Sequence, residues 1–188
     1  MRGAGRPREA GAARAAILGA ADELFYARGC AAVSLEAVAE RAGVTRRTLY
    51  YHFESKEDLV AAYLKRRDLA GLSMFERAGS ILAVFDALER WFRTREFRGC
   101  ALTNAVGENG ETVVVAGPIT QRHKRAILAW FDGRARDARV DEHAQLAEQL
   151  MLLFDGALTS ARTRRDAGVA KHAREAARRL LASYGVTA

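Results

Sequence analysis

The stretch AVSLEAVAERAGVTRRTLYYHFESKEDL, from Ala32 to Leu59, constrains the fold of this 188-residue chain more than any other. It reads as two short helices joined by a tight turn. Ser34 is a good N-cap, because its hydroxyl can accept an unpaired amide at a helix start. Leu35, Val38, Ala39 and Ala42 then fall on one helical face. Gly43 stands where a helix ends and the chain turns through positive φ. Thr45 caps a second helix carrying Arg46, Arg47, Thr48, Tyr50, Tyr51 and His52, with Leu49 and Phe53 four apart on the opposite face. A helix-turn-helix lays such a second helix in the major groove, its N-terminal residues toward base edges. The alternative is an ordinary helical hairpin with a solvated polar face. Two features weigh against it. The second helix is too short to need so many large donors for solubility. Tyr50 and Tyr51 are poor residues for plain solvent exposure, yet they suit phosphate contact and base packing.

At this point the sequence resembles a known family. The segment from Arg14 to Leu64 is similar to the DNA-binding domain of the TetR family of bacterial transcriptional repressors. The matching elements are AAILGAADELFYARG, the helix start at Ser34, and AERAGVTRRTLYYHFESKEDL. The AGV turn, the LYYHF core and the SKEDL start of the next helix stand at family spacing. Arg47 departs from the family, where many members carry a small residue, and should add a DNA contact or narrow the choice of operator. The resemblance covers about a quarter of the chain; the remainder is similar to the family only in length and helical character. It implies an all-α protein, with an N-terminal three-helix helix-turn-helix domain and a C-terminal helical domain for ligand binding and dimerisation. It also implies a ligand-responsive regulator, a repressor, that binds a palindromic operator as a homodimer. Ser34, Thr45, Arg46, Arg47, Thr48, Tyr50, Tyr51, His52 and Lys56 are the expected DNA-binding residues.

Composition agrees. Hydrophobic residues make up 49% and prolines number two, which favours a mostly helical chain with a real core. The net charge is +7, as suits a nucleic-acid partner. Residues 1–67 carry 12 basic against 8 acidic side chains and residues 68–188 carry 18 against 15, so charge supports DNA binding without locating it. No 18-residue apolar run spans a membrane, and no apolar signal region follows Met1, so a cytoplasmic location without membrane partners is expected. Cys30 and Cys100 have no metal-ligand spacing. Cys30 reads as small core filler. Cys100 reads as a packing cysteine, although a thiol at a helix start can become reactive. No metal site and no cofactor are expected.

Along the chain, residues 1–13 read as a flexible basic arm carrying Arg2, Arg6 and Arg8. Helix 1 is expected over about 12–28, with Ile17, Leu18, Ala21, Leu24 and Phe25 on one stripe. A further helix should start at Ser55 and run from Lys56 toward Leu72. Lys56 in its first turn opposes the helix dipole, a cost that makes sense if it faces a phosphate. The DNA-binding domain is thus expected over 14–65 and the second domain over 66–188. Helix candidates in the latter are 74–95, 100–107, 119–138, 141–166 and 169–184. TVVVAG at 112–117 is read as extended loop between GENG and Gly117-Pro118.

Two stripes near the end suggest a twofold four-helix interface between chains. One contains Leu146, Leu150, Leu153, Phe154, Ala157 and Ala161; the other contains Ala173, Ala177, Leu180 and Leu181. The alternative is that both stripes pack inside one chain. Phe75, Trp91, Phe92, Phe97, Trp130 and Phe131 gather in the middle of the sequence. With Thr103, Asn104, Gln121 and His123 as polar anchors, they are the expected lining of a pocket for a small apolar or amphipathic effector. An enzyme would need a convergent acid–base or nucleophilic set, and none is visible. A sequence-indifferent DNA-packaging protein would explain the charge but would need neither a recognition helix nor a large apolar second domain.

Overall fold

The computed structural model describes residues 6–108 and 111–186, with side chains described from Gly11 and not at 111–113. All the regular structure among these residues is helical. The order is α1 (Arg6–Arg28), α2 (Leu35–Ala42), α3 (Arg46–His52), α4 (Lys56–Arg77), α5 (Ile81–Phe92), α6 (Ala101–Val106), α7 (Glu111–Asp137), α8 (His143–Arg164) and α9 (Val169–Ser183). They form two compact units. One comprises the chain up to Asp68 together with residues 101–120; the other comprises residues 69–100 and the chain from Gln121 onward.

Local chemistry sets the first unit's boundaries. The Ser34 hydroxyl accepts the Ala37 amide and opens α2. Gly43 closes it at φ 66°, the left-handed conformation that a glycine adopts without a Cβ penalty. The Thr45 hydroxyl then accepts the Thr48 amide and opens α3. The inward faces of α1 to α4 meet in a small core of Ile17, Phe25, Val38, Leu49, Phe53, Leu59 and Leu64, all nearly or fully buried. Each such side chain contributes about 1.5–3 kcal/mol of transfer free energy. Tyr63 meets Phe25 edge to face, with centroids 5.5 Å apart. Arg67 on α4 pairs with Asp22 on α1 at 2.9 Å and lies over the Tyr26 ring at 4.0 Å, tying the two helices together.

Three expectations about element bounds are corrected. Helix α1 begins at Arg6, so residues 6–13 are helical rather than a flexible arm; residues 1–5 lie outside the described residues. Pro7 fits the first turn, where its missing amide hydrogen is not needed. The expected 74–95 helix is instead the end of α4 and the separate α5, broken at Ala78-Gly79, where Ser80 caps α5 by accepting the Ala83 amide. Residues 112–117 are helical, inside α7, not an extended loop. Pro118 removes one hydrogen bond, to the Val114 carbonyl, but Val114 and Pro118 are both exposed and water can serve that group. The inner face compensates. Ala116, Ile119 and Thr120 are buried, and the Thr120 hydroxyl donates to the Leu102 carbonyl at 3.1 Å.

The second unit is a helical core. Its α5 packs on α9, and α8 packs on α9 and α5. Phe75, Trp130, Phe131 and Phe154 form one aromatic cluster, and Trp91, Phe92 and Phe97 another. Ion pairs hold the helices at their surfaces. Lys124 meets Asp155, and Arg174 meets Asp86 at 2.7 Å.

Candidate nucleic-acid interface

Helix α3 turns Leu49 and Phe53 inward and leaves the rest of its surface open. Tyr51 is 80% exposed, its ring braced edge-on against His52 at 5.1 Å, and Tyr50 is 40% exposed. An exposed aromatic that large keeps apolar area in water, and covering it with a partner is favourable. Arg47 is exposed, with no side-chain partner among the described residues. Arg46 points elsewhere. It pairs with Glu36 on α2 at 3.0 Å and lies over the Tyr50 ring at 5.5 Å. A hydrogen bond to Tyr50, then the charge of Glu36, hold the Arg46 guanidinium still more firmly protonated than usual. The Thr45 and Thr48 hydroxyls bond each other at 2.8 Å, and the Ser34 hydroxyl is engaged as a helix cap. The candidate surface therefore gathers Arg46, Arg47, Tyr50, Tyr51 and His52 on one short helix, while Ser34, Thr45 and Thr48 shape its ends.

Lys56, in the first turn of α4, donates to the Ala31 carbonyl at 2.9 Å. The connector around Ala31 is also held from its other side. The Glu108 carboxylate accepts the Cys30 amide at 3.0 Å and the Ala31 amide at 2.6 Å. The α1–α2 connector is thus fixed between Lys56 and Glu108, a residue far along the chain. Gly29 makes room for this. It sits at φ 91°, and a Cβ there would come to 3.2 Å from Glu108 Oε1. Burial, reinforced by the Glu108 charge, pushes the Cys30 thiol up to about 12, so it stays protonated and serves as packing. Sequence reasoning missed both Glu108 and Glu36. Nothing local marks Glu108, whose partners are distant in sequence. Glu36 reads only as an acidic residue suited to a helix N-terminus.

The residues expected to line one pocket are divided. Phe75, Phe92 and Phe131 are buried in the second unit, with half-buried Trp91, Phe97 and Trp130 packed against the same core. They fall into the two ring clusters described above, Trp91 meeting Phe97 edge to face at 5.2 Å and Phe92 tilted against Phe97 at 4.7 Å. Thr103 and Asn104 lie on α6 in the first unit, their carbonyls accepting the Gly107 amide at 3.2 and 3.0 Å. Thr103 and Gln121 are exposed. His123 is buried on α7 beside α4, where a Cβ at Gly71 would come to 3.0 Å from its ring. Eight of the ten thus lie in the second unit and two, Thr103 and Asn104, in the first. Cys100 is half-buried and packs against the second core.

The residues of the expected dimer stripe also pack within the single chain. Leu146, Leu150, Phe154, Ala157, Ala161, Ala173, Ala177 and Leu181 are buried within the single chain, and Leu153 and Leu180 pack against the same core. These faces are already satisfied by α5, α8 and α9. The outward face of α8 is different: Gln145, Glu148, Leu152, Gly156 and Thr159 lie along it exposed, with Leu152 at 72%.

A short helix with an arginine and two tyrosines presented outward, carried by a capped helix pair, has the geometry of a helix-turn-helix. Residues 17–63, a quarter of the chain, match the model of the tetR family of bacterial regulatory proteins. Over 56 residues it is 50% identical to the HTH-type transcriptional regulator TtgR of Pseudomonas putida, covering 30% of this chain and 27% of that protein. The match thus spans only about a quarter of the length of that relative. Two crystal structures are similar over nearly the whole chain. A tetR-type transcriptional regulator from Streptomyces avermitilis is 29% identical with a TM-score of 0.80, covering 93% of this chain and 99% of the other. A TetR-family regulator from Streptomyces coelicolor is 27% identical with a TM-score of 0.78, covering 93% and 96%.

Among the described residues no group of three or more His, Cys, Asp or Glu could hold a metal ion, and no helix is long and apolar enough to cross a membrane.

Proposed function

We propose that the protein is a cytoplasmic, ligand-responsive transcriptional repressor that binds a palindromic DNA operator as a homodimer. The observation that carries this reading is the open face of α3, where Arg47 and Tyr51 project exposed, Tyr51 braced on one edge by His52. Arg47 stands at the N-terminal end of the recognition helix, the end that meets base edges. Lys56 and His52 flank it, where they would position the helix on phosphates. Residues 14–65 form the DNA-binding domain in this reading and residues 66–188 the ligand-binding and dimerisation domain, with residues 101–120 packed alongside the DNA-binding helices. One recognition helix covers a half-site, so two chains are needed. The exposed α8 face around Leu152 is the surface offered to the second copy. A small apolar or amphipathic effector taken up by the aromatic-rich second unit would release DNA, and its coupling to DNA binding would be reciprocal.

The test is selection of duplexes from a randomised library, followed by affinity measurement on the selected site and on random DNA. A palindromic consensus is expected. Arg47→Ala should lower affinity for that consensus by about 1–3 kcal/mol and for random DNA much less. Equal loss on both would make Arg47 a phosphate contact, and the absence of any consensus would overturn the regulator reading. A reporter gene placed behind the selected site should be silenced by the protein; activation would overturn repression alone.

A further inference from the structure

Resting on the DNA-binding reading, we propose that Glu36 determines operator specificity by positioning Arg46 for one guanine of each half-site. Glu36 is not on the recognition helix. It stands in the first turn of α2, and its carboxylate reaches the Arg46 guanidinium at 3.0 Å. The same guanidinium lies over the Tyr50 ring at 5.5 Å. An arginine side chain has several free torsions and five N–H donors in a planar fork. Held between a carboxylate and a ring, the fork has its plane fixed before DNA arrives, and the donors not engaged by Glu36 and Tyr50 remain for a base. Guanine offers the matching pair of acceptors, O6 and N7, in the major groove.

The carboxylate has a second effect. Placed at the reading surface, it repels phosphate oxygens on every sequence alike, and it withholds Arg46 from the phosphate contacts that carry no sequence information. Glu36 therefore lowers affinity for random DNA while sharpening the choice of base. It does this without holding the fold together. The Glu36 and Arg46 side chains are 56% and 65% exposed, and an ion pair that open to water adds little to stability. Glutamine at position 36 should thus leave the protein folded.

The experiment compares base preference and salt dependence for the full-length wild type, Glu36→Gln, Arg46→Ala and the double variant, using a randomised duplex library and a random-sequence duplex. Equal thermal midpoints establish that each variant is folded. Arg46→Ala should abolish the preference for guanine at one symmetric pair of positions. Glu36→Gln should weaken that same preference by about tenfold. Its affinity for random duplex should rise and the salt slope steepen by about one unit, as Arg46 becomes a phosphate contact. The double variant should match Arg46→Ala in base preference, while binding random duplex more tightly because the carboxylate's repulsion is gone. A purely structural role for Glu36 would not move base preference at one position. Unchanged preference in Glu36→Gln, or a change at a position Arg46→Ala leaves alone, would overturn the proposal while the regulator reading stands. A wild type with no sequence preference would overturn both.

Discussion

The outer face of α3 and the interior of the second unit use the same kinds of side chain in opposite ways. In the second unit Phe75 meets Trp130 and Phe131 edge to face and tilts against Phe154, and Phe131 is fully buried. On α3, Tyr51 stands 80% exposed, its ring supported along one edge by His52. Arginines divide similarly. Arg67 is paired with Asp22 and stacked on Tyr26, whereas Arg47 is exposed without a partner among the described residues. Aromatic area that is already covered contributes to folding; aromatic area left open can contribute to binding. The difference predicts which substitutions cost stability and which cost DNA affinity alone.

The sharpest contrast is Phe131→Ala against Tyr51→Ala. Phe131→Ala empties a fully enclosed site and should lower unfolding free energy in urea by about 3–5 kcal/mol. Tyr51→Ala should change it by less than about 0.5 kcal/mol and instead weaken DNA binding. Comparable losses of stability would show that Tyr51 is structural and break the comparison.

The two faces of α8 give the next test. Leu150→Glu places a carboxylate inside the chain's own core and should destabilise the fold by several kcal/mol or abolish it. Leu152→Glu, two residues on, meets water and should leave the thermal midpoint almost unchanged. Sedimentation should then show a dimeric wild type and a folded, largely monomeric Leu152→Glu. A Leu152→Glu protein that stays dimeric would move the interface off this face.

These faces also show what the sequence could and could not reveal. Periodicity put Leu146, Leu150, Phe154, Ala157 and Ala161 on one apolar stripe, read as an interface between chains, and they are buried within the single chain. Hydrophobic spacing reports that a face leaves water, not whether its cover comes from the same chain or from a second one. The helix-turn-helix was legible because its signals are local: Ser34, Gly43 and Thr45 each act on amides or carbonyls within a few residues. Residues 112–117 misled for the complementary reason. A β-branched run before Gly117-Pro118 has weak helix propensity, and the burial of Ala116, Ile119 and Thr120 outweighs it through partners distant in sequence. Glu108 and Glu36 stayed hidden because each matters only through a residue that the fold brings to it.

Glu108 supplies a smaller effect. Glu108→Ala leaves the Cys30 and Ala31 amides without their acceptor and should cost about 1–2 kcal/mol. The loss should be concentrated in the α1–α2 connector, where hydrogen exchange at these two amides would accelerate. Unchanged exchange at both would mean that the clamp does not persist in solution. A global loss of protection would mean that Glu108 supports far more than the connector.

The smallest expected effect concerns acid, and it falls on the second unit. Asp132 on α7 bonds His143 Nδ1 on α8 at 2.6 Å and Arg136 at 2.9 Å. The hydrogen bond to His143, then the nearby Arg136 charge, hold the Asp132 carboxyl below its ordinary value of 3.8. Glu175 on α9 is likewise lowered from 4.5 to about 2, first by Arg178 and then by Arg179. Both groups bind protons less readily folded than unfolded, so each adds stability that is complete above the unfolded value and vanishes as pH falls through the folded one. The relevant window therefore lies below about pH 4.5, and for Glu175 it ends near pH 2. All these side chains meet water, so the contributions are modest. Thermal midpoints measured from about pH 6 down to about pH 2 should show Asp132→Asn below the wild type at the upper end and converging with it in acid. Glu175→Gln should converge in the same way with a smaller gap, because its partners lie on its own helix and persist wherever that helix forms. Curves that run parallel over the whole range would show that neither carboxylate is held more tightly in the folded chain than in the unfolded one, and would leave the apolar core alone to stabilise that unit against acid.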